Sequence, residues 1–173
     1  MKKAIAVLMF ALAAVAAFVA GCGSKYNATL ISNADDIINP NFLEQNRVSG
    51  AFYPNPDYEE GVDSADERYI FDESSPESRT FIITEKSQFD DIFDEDKFSI
   101  DLTDKMAILY IFADVYGTRD YKLSDIEKTG DGLEICCSLE YSAADDATMP
   151  FMRCFVVTLD KTDISEVTFI NQK

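Results

Sequence analysis

Met106-Ala107-Ile108-Leu109-Tyr110-Ile111-Phe112-Ala113 is a continuous apolar run, rich in residues that favour strands. It is too short for a typical free-standing helix, and it lacks the alternation of a strand with one wet face. The run therefore predicts a central strand buried on both faces, against which the rest of the chain must pack.

Downstream, the signals are those of an antiparallel sheet. Tyr121-Lys122-Leu123-Ser124 alternates, Gly130-Asp131-Gly132 offers a hairpin turn, and the stretch from Leu133 to Tyr141 alternates again. That second alternation turns Leu133, Ile135, Cys137, Leu139 and Tyr141 inward. A polar connection over residues 142–150 leads to Phe151-Met152-Arg153-Cys154-Phe155-Val156-Val157-Thr158-Leu159, and Glu166-Val167-Thr168-Phe169-Ile170 predicts a last short strand. If the strands at 133–141 and 151–159 pair as a hairpin, Cys136 and Cys154 share a face on neighbouring strands. A disulfide between them is then within reach in an exported protein, provided their Cα atoms come within about 4.4–6.8 Å. The other reading is a pair of small buried thiols.

Upstream, Tyr69-Ile70-Phe71 and Thr80-Phe81-Ile82-Ile83 are short strand-like runs. The serines, acids and Pro76 between them are turn chemistry, so the two runs predict a hairpin. Thr84 follows as a candidate N-cap, with Phe89, Ile92 and Phe93 at helical spacing behind it. These elements predict an α+β fold over residues 67–173: an antiparallel meander or small barrel-like sheet with one short helix.

Residues 22–66 read as an extended, largely irregular tether, because Asn39-Pro40-Asn41 and Pro54-Asn55-Pro56 interrupt any period. Its apolar residues, among them Leu30, Ile38, Phe42, Phe52 and Tyr53, exceed what a solvated linker needs, so part of it is expected to dock. Between Asp57 and Glu77 nine acidic residues stand against the single Arg68, around the apolar patch Tyr69-Ile70-Phe71.

Residues 1–21 have the layout of a secretory signal: Lys2 and Lys3, an uncharged run to Ala20, and small residues before Cys22. A membrane span is the second reading, weakened by the run's length and its small side chains. Val19-Ala20-Gly21-Cys22 resembles the bacterial lipobox. The resemblance implies cleavage before Cys22, a diacylglyceryl group on its thiol, and a protein lipid-anchored at the cell membrane on the extracytoplasmic side. Loss of the leader's two lysines takes the formal net charge from −17 to −19. Such a chain is repelled by nucleic-acid phosphates and by anionic headgroups. No nucleic-acid partner is therefore expected, and the lipid alone is expected to hold the membrane.

The span from about Thr80 to Ile170 also resembles the domain named after the C-terminal part of the protease complex subunit PrcB, found in bacterial surface lipoproteins. The similar features are Phe81-Ile82-Ile83 leading to Ser87-Gln88-Phe89, Ile100-Asp101-Leu102 entering the central run, Tyr121-Lys122-Leu123, and Met149-Pro150-Phe151 before Val156-Val157. The resemblance implies a non-catalytic accessory or protein-binding module at the cell surface, with an envelope protein as its partner. It carries over no catalytic residue.

The chain has no histidine, which excludes Ser-His-Asp and Cys-His machinery and histidine metal sites within it. No phosphate-cradling glycine loop, Cys-x-x-Cys pair or EF-hand spacing occurs, and no cofactor is implied. Carboxylate chemistry remains, and the alternative function is a carboxylate-dependent hydrolase of the cell envelope, with no pair singled out among 32 acids. Asp90, Asp91, Asp94, Glu95 and Asp96 could offer oxygen ligands to Ca2+, but a solvated helix face explains them more simply. Tyr110, Tyr116, Tyr121 and Tyr141 could line a carbohydrate or peptide surface, although strand propensity already accounts for them.

Overall fold

The computed structural model describes residues 25–116, 119–140 and 149–172. In chain order its elements are β1 (Thr29–Ile31), α1 (Pro40–Gln45), β2 (Phe52–Pro54), β3 (Tyr69–Phe71), β4 (Ser78–Ile83), α2 (Lys86–Ile92), β5 (Lys105–Asp114), β6 (Tyr121–Thr129), β7 (Gly132–Leu139), β8 (Phe151–Asp160) and β9 (Glu166–Gln172). Short 3-10 turns cover Asp35–Ile37 and Ala65–Arg68.

β5 and β8 pair antiparallel along their whole length, from Lys105 opposite Asp160 to Asp114 opposite Phe151. β4 lies antiparallel on the far edge of β5. The far edge of β8 is shared: β1 runs antiparallel with Leu30 opposite Val157, and β2 runs parallel where Phe52 meets Phe151. β3 then pairs antiparallel with β2. The result is an open, mixed six-stranded sheet with β3 and β4 at its two edges. A second sheet has β7 in the middle, antiparallel to β6 and parallel to β9.

Three layers follow. On β5, Ala107, Leu109 and Ile111 pack with Ile38, Phe89, Ile92 and Phe93 of the helical layer. On its other face Met106, Ile108 and Phe112 pack with Ile126, Leu133 and Ile135 of the small sheet. This double burial is why the run from Met106 to Ala113 shows no alternation, and each large side chain so buried contributes about 1.5–3 kcal/mol. The expectation of a central strand with two dry faces holds.

The short helix also forms, with its cap one residue later than Thr84. Glu85 is the N-cap, its side chain accepting from the third helical N–H. The Gln88 side chain accepts in return from the Glu85 N–H at 3.2 Å and from the Thr84 N–H at 3.1 Å. The β6–β7 turn is the expected one: Gly130 has φ +63, the left-handed conformation that the first residue of a two-residue hairpin turn needs.

The sheet is α+β and mostly strand, but it is neither a meander nor barrel-like, and α1 is a second helix. β3 and β4 do not form a hairpin. They sit at opposite edges, and the intervening chain turns where the Asp72 carboxylate accepts from the Ser74 N–H at 2.8 Å and the Ser75 N–H at 2.9 Å. β7 and β8 do not pair either; they belong to different sheets. Residues 26–54 are no tether, because they supply β1, α1 and β2 and bury Tyr26, Ala34, Ile38, Val48, Ala51 and Tyr53. The segment's apolar residues fill space that the 67–173 portion leaves open on β8. The leader and Cys22 lie outside the described residues.

Candidate functional site

The β2–β3 end of the large sheet carries aromatic side chains that belong to neither core. Phe52 and Phe71 are directly opposite in the ladder, with ring centroids 4.8 Å apart. Tyr69 meets Phe151 edge-on at 5.5 Å. Phe71 and Ile70 are each 43 % exposed, and Val62 on the adjoining loop is 75 % exposed. Pairing alternation explains the segregation: Tyr53, opposite Ile70, faces the helical layer and is buried, so Phe52, Tyr69 and Phe71 must face the other way. The small sheet packs farther along that face, and its core cluster includes none of these rings.

Local chemistry holds this edge in place. The buried Tyr53 hydroxyl accepts from the Val48 N–H at 2.8 Å and donates to the Val48 carbonyl at 3.0 Å. Gly50, at φ +78, donates its N–H to the Asp72 carbonyl at 2.8 Å. Asn55 gathers the acidic loop by donating its side-chain amide to the Glu67 carbonyl at 2.8 Å and its N–H to the Arg68 carbonyl at 2.9 Å. Hydrogen bonds from the Ser75 and Ser74 N–H groups hold the Asp72 carboxyl below the ordinary carboxylate range.

A buried polar hub stands behind the patch. Arg153, 2 % exposed, and Asp114, 7 % exposed, form an ion pair at 3.4 Å. The guanidinium donates to the Ser32 carbonyl at 3.0 Å, to the Tyr116 carbonyl at 2.5 Å and to the Arg119 carbonyl. It lies over the rings of Tyr121 and Phe155 at 4.9 and 5.6 Å. Asp114 accepts from the Tyr121 hydroxyl at 3.0 Å and from the Tyr116 N–H at 3.1 Å. Burial, reinforced by the Asp114 charge, pushes the Tyr121 hydroxyl well above the ordinary tyrosine range. Every strong donor and acceptor of this hub is satisfied within the protein, so it is a clamp: it ties the ends of β5 and β8 to the segment after β1. Since Asp114 is opposite Phe151 in the ladder, the clamp also sets where that ring meets Tyr69.

The residues singled out from sequence are dispersed. Tyr110 stacks on Phe169 at 4.3 Å and on Phe112 at 4.9 Å; Tyr121 is in the hub, Tyr116 lies under Arg119, and Tyr141 is outside the described residues. Tyr110 and Tyr121 are taken up in the core beneath the small sheet and line no open surface. Asp90, Asp94, Glu95 and Asp96 line an open dish with Asn39 and Phe93. Lys86 pairs with both Asp90 and Glu95, and Lys97 pairs with Asp94 at 3.1 Å. Among the described residues no three carboxylate or thiol side chains converge as a metal site.

Cys136 and Cys154 are free thiols in different sheets, which overturns the disulfide expectation: the β7–β8 pairing that would have brought them together does not exist. The Cys154 thiol instead lies near the Asp35 carboxyl, and burial, reinforced by that charge, raises the thiol far above the ordinary range. Burial pushes the Cys137 thiol up to about 12. Asp35 is exposed as a residue, yet desolvation at its carboxyl end raises it above the usual carboxylate range despite the neighbouring thiol.

The surface that does form draws Phe52, Tyr69 and Phe71 from stretches read as tether and acidic spacer, and Phe151 from the far end of β8. The one legible signal for it was Tyr69-Ile70-Phe71, an apolar patch in the most acidic part of the chain. No family model, no curated protein and no solved structure matches this chain.

Proposed function

We propose that the chain is a lipoprotein, anchored through Cys22 at the extracytoplasmic side of the cell membrane, and that it acts as a non-catalytic accessory or protein-binding module similar to the PrcB C-terminal domain. The observation that carries the binding role is the aromatic edge at β2–β3, because rings left outside both cores are the ordinary mark of a contact surface. The hydrolase reading requires two carboxylates facing each other across a cleft with their acidities pushed apart. Among the described residues the one carboxyl held above its usual range is Asp35, and the group beside it is a thiol, not a second carboxylate.

The test uses the full chain in its own envelope, with a photo-reactive phenylalanine analogue at position 71 and, as control, at the exposed position 122 of β6. A discrete protein adduct from position 71 and none from position 122 is the expected result. Identical adducts from both positions, or none from 71, overturn the proposal.

A further inference from the structure

We infer that β3 is a docking strand: an extended partner segment, alternating apolar residues with Lys or Arg, adds to its open edge and extends the six-stranded sheet. This deepens the protein-binding reading and rests on it. The first support is backbone geometry. Asp72 donates its N–H to the Ala51 carbonyl and accepts from Gly50, and the Arg68 carbonyl accepts from Asn55, so both residues point their polar groups at the β2 side. Alternation then turns the N–H and C=O of Tyr69 and Phe71 outward, away from β2, at the terminal strand of the sheet. An added strand takes its main-chain bonds from such groups.

The second support is the side chains. Residues of an added strand lie beside Tyr69 and Phe71 on one face and beside Ile70 on the other. The first face already exposes aromatic rings, which asks for apolar residues at every second position of the partner.

The third is charge. Nine acids lie between Asp57 and Glu77 against the single Arg68, and none of the nine is in an ion pair among the described residues. An uncompensated acidic rim selects a basic partner. The same charge argues against the other occupants: two mature copies, each at −19 once the leader's two lysines are lost, repel, and so does an anionic bilayer.

Two of the other sheet edges, β4 and β6, differ. β4 commits Phe81, Ile82 and Ile83 to the two cores. β6 is studded with Lys122, Asp125, Glu127 and Lys128 and carries a bulge, the usual protection of an edge.

The probe is a synthetic seven-residue peptide alternating Lys with Val or Ile, offered to the mature lipoprotein in neutral detergent micelles. Slowed hydrogen exchange at the Tyr69 and Phe71 amides is the expected result. Binding should weaken several-fold between about 0.1 and about 1 M salt, as the screening length falls from about 10 to about 3 Å. Phe71→Pro removes one outward donor and no ladder bond, so it should abolish the protection and the binding. Phe71→Ala, which keeps the N–H, should retain part of the binding. Equal binding by a peptide with Glu in place of Lys overturns the charge assignment. Undiminished binding to Phe71→Pro, or by a peptide N-methylated along one edge, overturns strand addition. Self-association that Phe71→Pro disrupts, or docking on vesicles through this patch, likewise overturns it in favour of a second copy or a membrane. A cross-linked partner from position 71 without amide protection refutes the strand mode alone. Amide protection without any cross-linked partner supports the strand site and refutes the accessory role.

Discussion

Arg153→Met is the most informative single change. The side chain it replaces is 2 % exposed, pairs with a carboxylate that is itself 7 % exposed, and donates to the Ser32, Tyr116 and Arg119 carbonyls. Methionine fills much of the volume but supplies no donor, so Asp114 stays buried with only the Tyr121 hydroxyl and the Tyr116 N–H facing it. Removing one member of a buried pair costs about 3–5 kcal/mol, against a total stability of about 5–15 kcal/mol for an ordinary domain. With a urea dependence of about 2 kcal/mol per molar, the unfolding midpoint should fall by about 2 M. The chain has no tryptophan, so the transition is followed by far-UV circular dichroism together with tyrosine signals in the near-UV. Asp114→Asn and the double variant complete a cycle, in which the double variant should lose less than the sum of the singles by about 0.5–3 kcal/mol. A midpoint shift under about 0.5 M with an unchanged slope, or strict additivity, would refute the reading of Arg153 as a clamp.

Cys22→Ala should release the protein from membranes or stall its processing; an unchanged membrane fraction in detergent-free extraction rules this out. Gly132→Ala places a Cβ 2.7 Å from the Glu166 Cγ and 3.2 Å from its carbonyl oxygen, so the exposed Glu166 side chain must turn aside and the β7–β9 backbone must give slightly. A loss of about 1–3 kcal/mol in chemical denaturation is expected, and a neutral result contradicts the close approach. In the folded lipoprotein at pH 8, a thiol reagent should reach Cys136 first and leave Cys137 and Cys154 unmodified until denaturant is added, since burial keeps both protonated; rapid labelling of Cys154 refutes that. Limited proteolysis should nick the exposed loop within residues 57–67 while the 26–54 segment stays associated under native conditions, and its early loss would contradict its place in the core.

By itself the sequence determined how each segment is wetted. The unbroken run from Met106 to Ala113 announced a strand dry on both faces, the alternation from Leu133 onward announced one dry face, and Gly130-Asp131-Gly132 announced the turn between β6 and β7. The lack of histidine removed whole classes of catalysis. All of these are local: side-chain period and turn chemistry are set by residues within a few positions of one another. Apart from the β6–β7 hairpin, only the tertiary structure decided which strand lies beside which. The period of a strand is the same whatever its neighbour, and the entropy of closing a longer loop grows only slowly with length, so adjacency in sequence is a weak constraint. That is how β3 and β4 come to opposite edges, why β8 takes β5, β1 and β2 in place of β7, and why Cys136 and Cys154 never meet. The candidate surface was hidden for the same reason. Phe52, Tyr69, Phe71 and Phe151 become one patch only when β2 pairs with both β3 and β8 and the small sheet packs farther along that face, and an aromatic residue left outside a core has the same local pattern as one within it.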